Sequence, residues 1–246
     1  MSNKADIASH CRELDRCNQR GGRMLSILDL LDAGTIDTVL GAYLMACITR
    51  GASIMVSAGP GGAGKTTVMC ALVNLAPLHL PLVAATPEAV RKAHRNPPEG
   101  QRCFICHEIG RGAYFAYLWG ADLRDYCALS QQGHMLATNL HADDLDEARE
   151  QVCGDNGVPL EHFHAFNLLI FLRIIGRFRE MRRRVVKVYA LDESDSHRLV
   201  YDDDQGVARF EPDDWTRACQ TFLEKQFAGP NRTIEDVRRE VVAFLA

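Results

Sequence analysis

The segment Gly59-Pro60-Gly61-Gly62-Ala63-Gly64-Lys65-Thr66-Thr67 has the spacing G-x-x-x-x-G-K-[ST] of a phosphate-binding loop. Glycines let successive backbone N–H groups turn inward and cradle phosphate oxygens. A helix opening at the end of the loop brings the positive end of its dipole to the same place. On this spacing Gly59, Gly61, Gly62, Ala63, Gly64 and Thr67 line the phosphates with backbone. Lys65 reaches the β- and γ-phosphates, and the Thr66 hydroxyl holds Mg²⁺. The expected cofactors are therefore ATP and Mg²⁺.

Hydrolysis needs more than the loop. A carboxylate at the end of a neighbouring strand must orient the attacking water or the Mg²⁺ shell. Glu108 follows the apolar run Cys103-Phe104-Ile105-Cys106 and His107, and is the best-placed candidate. The plainer alternative is a solvated acid at a strand end. His141 lies just beyond the run Met135-Leu136-Ala137-Thr138, where it could sense the γ-phosphate or touch a neighbouring subunit. A hydrogen-bonded structural histidine is the plainer alternative there. Cys103-Phe104-Ile105-Cys106-His107 also fits C-x-x-C-H, the haem-attachment pattern. On a strand those two cysteines point to opposite faces. No second C-x-x-C completes a zinc site. Haem is not expected, and both cysteines read as small core residues. The run Arg177, Arg179, Arg182, Arg183, Arg184 reads as a solvated hairpin, a subunit contact or a source of arginine fingers.

These residues need a sheet to hold them. Ala52–Ala58 reads as the buried strand before the loop, and Thr67–Val73 as the helix after it, stopped by Pro77. Strands are expected at Leu80–Ala85, Cys103–Cys106, His134–Thr138, Leu168–Arg173 and Arg184–Leu191, with an edge strand at His197–Tyr201. Helices are expected at Ile36–Thr49 (capped by Thr35, with Ile36, Val39, Leu40, Tyr43 and Leu44 as its apolar stripe), Ala113–Gln132 and Asp143–Val152. Arg91–Gly100 reads as a charged loop, and Met1–Arg20 as a loosely ordered polar tail. The alternation implies an α/β sheet of parallel strands with helices on both faces. Near the C-terminus Pro212 opens a helix carrying Trp215, Cys219, Phe222 and Leu223 on one face. Thr233 and Asp236 make a capping-box pattern for an amphipathic last helix.

A net charge of −4 over 246 residues gives no electrostatic case for a nucleic-acid partner. No apolar stretch is long enough to span a bilayer, and the N-terminal residues lack the apolar core of a secretory signal. The nine cysteines are odd in number and widely spaced, which suits reduced thiols in a cytoplasmic protein.

Several motifs occur in an order that resembles one family. Leu30-Leu31-Asp32-Ala33-Gly34-Thr35-Ile36 followed by Gly41-Ala42-Tyr43-Leu44 is similar to the lead-in to the P-loop in the type II/IV secretion ATPases, the traffic ATPases of pilus, archaellum and secretion machines. Gly133-His134-Met135-Leu136-Ala137-Thr138-Asn139-Leu140-His141-Ala142-Asp143 resembles that family's histidine box. His107-Glu108-Ile109 resembles its Gly-Glu-Ile signature, which places the catalytic glutamate on Glu108. Phe171-Leu172-Arg173 and Arg182-Arg183-Arg184-Val185-Val186 resemble the paired strands that follow. The resemblance spans about residues 23–191.

It implies a RecA-like P-loop NTPase domain with a small C-terminal helical appendage, and ATP hydrolysis in a homo-oligomer, a hexameric ring docked to a membrane-embedded platform protein at the inner face of the cell membrane. His141 and Glu88 would line the site, with Glu88 near the metal. Domain boundaries follow: a tail over 1–22, the core over 23–191, and edge strands and helices over 192–246. The chain departs from the pattern at named places. Ala84-Ala85 stand where the acidic box carries a Glu-Asp pair, leaving Glu88. His107 replaces a glycine, and Gly110 an arginine, with Arg111 one place later. About twenty residues precede the match, where the family has an N-terminal domain. Weak hydrolysis is the resulting expectation. A nucleotide-gated regulator or adaptor and a P-loop phosphotransferase are the alternatives.

Overall fold

The computed structural model describes residues 2–18, 22–59, 61–176 and 181–246. In chain order the elements are α1 (Ser2–Asn18), α2 (Ile27–Asp32), α3 (Thr38–Thr49), β1 (Ile54–Ser57), α4 (Lys65–Val73), β2 (Leu82–Ala84), α5 (Pro87–Arg95), β3 (Cys103–Ile109), β4 (Tyr117–Leu118), α6 (Ala121–Ala128), β5 (Met135–Leu140), α7 (Leu145–Arg149), α8 (Leu160–Phe163), β6 (Leu168–Ile175), β7 (Arg182–Leu191), β8 (His197–Asp202), β9 (Val207–Ala208), α9 (Asp214–Phe227) and α10 (Ile234–Leu245). One sheet runs β2-β3-β5-β1-β6-β7-β8-β9, and the short β4 pairs with the end of β3. β2 through β6 in that order are parallel. The sheet is thus mixed rather than wholly parallel, because β7, β8 and β9 return antiparallel. β8 is not the edge strand the sequence suggests, since β9 lies outside it.

Alternation along the strands splits the interior into two cores. Val56, Cys103, Ile105 and Ala137 face one side, with α1, α3, α4, α9 and α10. Met55, Phe104, Cys106 and Leu136 face the other, with α5 to α8. Cys103 and Cys106 therefore lie on opposite faces, both fully buried. The two C-terminal helices pack on the first core. Trp215 Nε1 donates to Thr49 Oγ1 at 3.0 Å, and Phe222, Leu223, Val237 and Val241 are buried there.

Residues Ser2–Asn18 form a helix, not a loose tail. Ile7, His10, Cys11, Leu14, Cys17 and Asn18 recur at helical spacing and are all buried. Counting His and Cys as polar hides that stripe. Burying Ile7 and Leu14 contributes about 1.5–3 kcal/mol each. The helix also covers the sheet margin: the Ala84 N–H on β2 donates to Glu13 Oε1 at 2.8 Å.

Other boundaries shift for local reasons. α3 starts after Asp37, whose carboxylate accepts from the Leu40 N–H at 2.7 Å, so Thr35 is not the cap and Val39 faces solvent. The first half of the expected charged loop is α5. Thr86 caps it, Pro87 takes its first turn, and Lys92, His94 and Arg95 sit at its negative end. Only part of Ala113–Gln132 is helical, because β4 interrupts it. The helix expected from Asp143 begins at Leu145, capped by Asp144, and widens to a π-helix over Glu150–Asp155. Pro212 precedes Asp213, the true cap of α9.

Candidate functional site

The loop joining β1 to α4 runs over the C-terminal ends of the parallel strands, where open α/β sheets bind ligands. Its backbone requires glycine at particular points. Gly62 and Gly64 have φ of +81° and +94°, values that side chains rarely adopt. Gly59 stands instead against the Asp143 side chain. Its N–H donates to Asp143 Oδ1 at 2.8 Å, and a Cβ on Gly59 would lie 2.3 Å from that carboxylate. Gly61 has open space around it, and Ala63 is buried. Pro60 lies outside the described residues. α4 then opens at Lys65, with the Val68 N–H donating to the Gly64 carbonyl at 3.0 Å. The first N–H groups of any helix have no acceptor within it, so this end presents donors to the loop.

Three side chains named by sequence meet here. Lys65 Nζ lies 3.1 and 3.2 Å from the two ring nitrogens of His141, 3.3 Å from the Ala58 carbonyl and 3.9 Å from Glu108 Oε2. His141 Nδ1 is 2.8 Å from the Gly59 carbonyl, and Nε2 is 3.2 Å from Glu108 Oε2. Nδ1–H can donate to the Gly59 carbonyl, while the Lys65 ammonium donates to the Ala58 carbonyl and stands within ion-pair range of the Glu108 carboxylate. Lys65 and Glu108 are 5% and 15% exposed, so a carboxylate and an ammonium share a mostly dry space. β5 lies between β1 and β3, which is why residues from three distant segments converge.

Thr66 is buried, and its Oγ1 accepts from Asn139 Nδ2 at 3.4 Å. Glu88 is exposed in the first turn of α5. Thr67 and Gly64 border a cavity of about 380 Å³, whose apolar wall includes Leu25, Leu30, Val68, Leu172 and Met181. Arg183 lies on the loop of its own chain, with Nε donating to the Gly62 carbonyl at 3.1 Å. Arg184 is paired with Asp203 at 2.7 Å. Arg177 and Arg179 lie outside the described residues.

No protein-family model and no curated protein matches the chain. Solved structures similar to it include three ATPases. The ATPase DotB of Legionella pneumophila is 14% identical over 92% of this chain and 68% of that one, with a TM-score of 0.48. The VirB11 ATPase from the Brucella suis type IV secretion system, in complex with sulphate, is 17% identical over 69% and 57%, also with a TM-score of 0.48. The ATPase DotB of Yersinia pseudotuberculosis is 10% identical over 67% and 49%, with a TM-score of 0.47. The chain thus spans between 49% and 68% of the length of these proteins.

The site also contains residues that sequence reasoning passed over. Tyr117, on β4, sits against Glu108. Burial, then the charge of Glu108 and a hydrogen bond to it, push the tyrosine hydroxyl up to about 12, so it stays protonated and donates. Nothing in the sequence marks it, because the pairing of β4 with β3 sets the contact (Glu108 opposite Tyr117). His107 packs on the Tyr117 ring at 5.5 Å, and its Nδ1 is 2.6 Å from the Cys17 carbonyl at the end of α1. Asp143, which holds Gly59, lies two residues past His141 and was legible only as part of that box.

The donor set suits a nucleotide polyphosphate with a hard divalent cation. It offers an ammonium and helix N–H groups for phosphate, and a buried hydroxyl and a nearby carboxylate for the cation shell. Among the described residues, no helix is long and apolar enough to cross a membrane.

Proposed function

We propose that the chain binds ATP–Mg²⁺ at residues 59–67 and hydrolyses it slowly, as a RecA-like P-loop ATPase of the secretion and pilus traffic type. The observation that carries this reading is the convergence of Lys65, Glu108 and His141 at the N-terminal end of α4. In it Lys65 neutralises the β- and γ-phosphates, and the Thr66 hydroxyl ligates the cation. When bound, Mg²⁺ supplies charge neutralisation across the phosphates. Glu108 orients and polarises the attacking water, Tyr117 holds the carboxylate, and His141 lines the γ-phosphate side. The apolar cavity beside Gly64 and Thr67 takes the nucleoside. Turnover is slow because Ala84-Ala85 stand where the resembled family carries a pair of carboxylates.

The proposed organisation is a catalytic core over 23–191 and a C-terminal unit over 192–246, with 1–22 preceding the core. The assembly is a homo-oligomeric ring, a hexamer by analogy with the resembled family, working in the cytoplasm against a membrane-embedded platform. An open nucleotide site in one subunit is completed by its neighbour in such rings. Gel filtration with ATP–Mg²⁺ should then show a larger species than without it, and specific activity should rise with protein concentration. A monomer with concentration-independent activity would rule out the ring. The exposed position of Glu88 and the alanine pair favour one second reading, a nucleotide-gated switch. That reading gains if the monomer binds ATP without turnover.

The central test is Lys65→Ala. Binding of ATP–Mg²⁺, followed by calorimetry, should weaken at least about tenfold, or about 1.4 kcal/mol. Unchanged affinity in a folded variant would sink the nucleotide reading.

A further inference from the structure

Asn139 lies on β5, the strand between the loop strand and the Glu108 strand, and is fully buried. Its Nδ2 donates to the His107 carbonyl at 2.7 Å and stands 3.4 Å from Thr66 Oγ1. Those two acceptors fix the orientation of the amide, since a flip would set two oxygens 2.7 Å apart. Oδ1 is left without a hydrogen-bond partner among the described residues, although it is excluded from solvent. An unsatisfied buried carbonyl of this kind costs about 1–3 kcal/mol. The bond to the His107 carbonyl accounts for Nδ2, because a leucine would leave that carbonyl without its donor, but it does not account for the buried Oδ1.

We propose that Asn139 is a positioning residue for the cation shell, its Oδ1 accepting a hydrogen bond from a cation-bound water while Nδ2 orients the Thr66 hydroxyl. This rests on the nucleotide reading above and deepens it. The amide donates to Thr66 Oγ1, so the lone pair left on that hydroxyl oxygen faces away from Asn139 and is free to ligate. The same amide ties Thr66 to the carbonyl of His107, the residue before Glu108. The metal ligand and the water-orienting carboxylate are thereby held in one register by a single side chain. An outer-shell carbonyl suits Mg²⁺, which keeps several of its waters when bound.

The test separates cation from nucleotide. ADP affinity is measured by calorimetry in EDTA and in excess Mg²⁺, for the wild type, Asn139→Leu and Asn139→Asp. The wild type should bind ADP more tightly with Mg²⁺. Asn139→Leu should lose about tenfold of that gain while its affinity in EDTA stays within twofold. Asn139→Asp keeps an acceptor and should retain the gain or increase it. If the leucine variant does not fold, Asn139→Ala replaces it with the same expectation. A Mg²⁺ gain left intact in the folded leucine or alanine variant overturns the assignment, as does an equal loss in EDTA and Mg²⁺. Either result leaves the nucleotide reading standing. A wild type that binds ADP in neither condition overturns both.

Discussion

At the C-terminal end of α4 the Arg238 guanidinium, 4% exposed, donates to the Asn74 and Ala76 carbonyls at 2.9 and 2.7 Å. At its N-terminal end the Lys65 ammonium, 5% exposed, faces His141, Ala58 and Glu108. One helix thus carries a buried cation at each end. At the C-terminal end the side-chain charge opposes the helix dipole and satisfies carbonyls that the helix leaves without donors. Asn74 Nδ2 adds a bond to the Ile234 carbonyl at 3.0 Å, so that end is closed by the protein itself. At the N-terminal end the cation and the dipole have the same sign, and the Glu108 carboxylate stands 3.9 Å from the ammonium. Burial alone does not separate a structural charge from a binding one; agreement or conflict with the local dipole does.

The comparison can be broken at either end. Arg238→Met should destabilise the fold by about 3 kcal/mol, because two buried carbonyls lose their donor. Denaturant unfolding measures this, and nucleotide affinity of the folded fraction should not change. A neutral result would mean that Arg238 caps nothing of consequence. Glu108→Gln should leave ATP affinity in place and lower turnover by about two orders of magnitude, about 2.7 kcal/mol in barrier. Wild-type turnover in that variant would assign the water to another acid.

A third measurement sharpens the structural end. Burial, with Arg238 beside it, brings His10 down to about 3. The folded chain therefore keeps this ring neutral while the unfolded chain takes up a proton near pH 6.5. The contribution is fully present above that pH and is lost as pH falls from 6.5 towards 3. By pH 5 the loss should be about 2 kcal/mol. His10→Asn should flatten the stability profile over that window, and an unchanged slope would remove His10 from the cluster.

The N-terminal end of α4 was far easier to read in the sequence than the C-terminal end. Its parts are glycines, a lysine and hydroxyls at fixed spacing, and the parallel strands around them are continuous apolar runs. Lys65, Glu108 and His141 could be named because each follows a recognisable strand. Glu88 was expected near the metal on an aligned position alone, and it stands exposed in the first turn of the helix that Thr86 caps. The other end depends on pairs such as Asn74 with Ile234 and Arg238 with Ala76, more than 150 residues apart. No local pattern records such pairs. α1 was missed for a related reason: its buried stripe is written in cysteine and histidine. Tyr117 and Asn139 owe their places to strand neighbours rather than to spacing.

The contact between Glu13 and the Ala84 amide carries a consequence for solution behaviour. β2 is the last strand on its side of the sheet, and an unpaired amide there is an invitation to any other extended chain. A carboxylate accepts that amide without offering a donor in return, so it closes the sheet against growth. The first helix is in this sense a selvedge, keeping one molecule from being woven into the next.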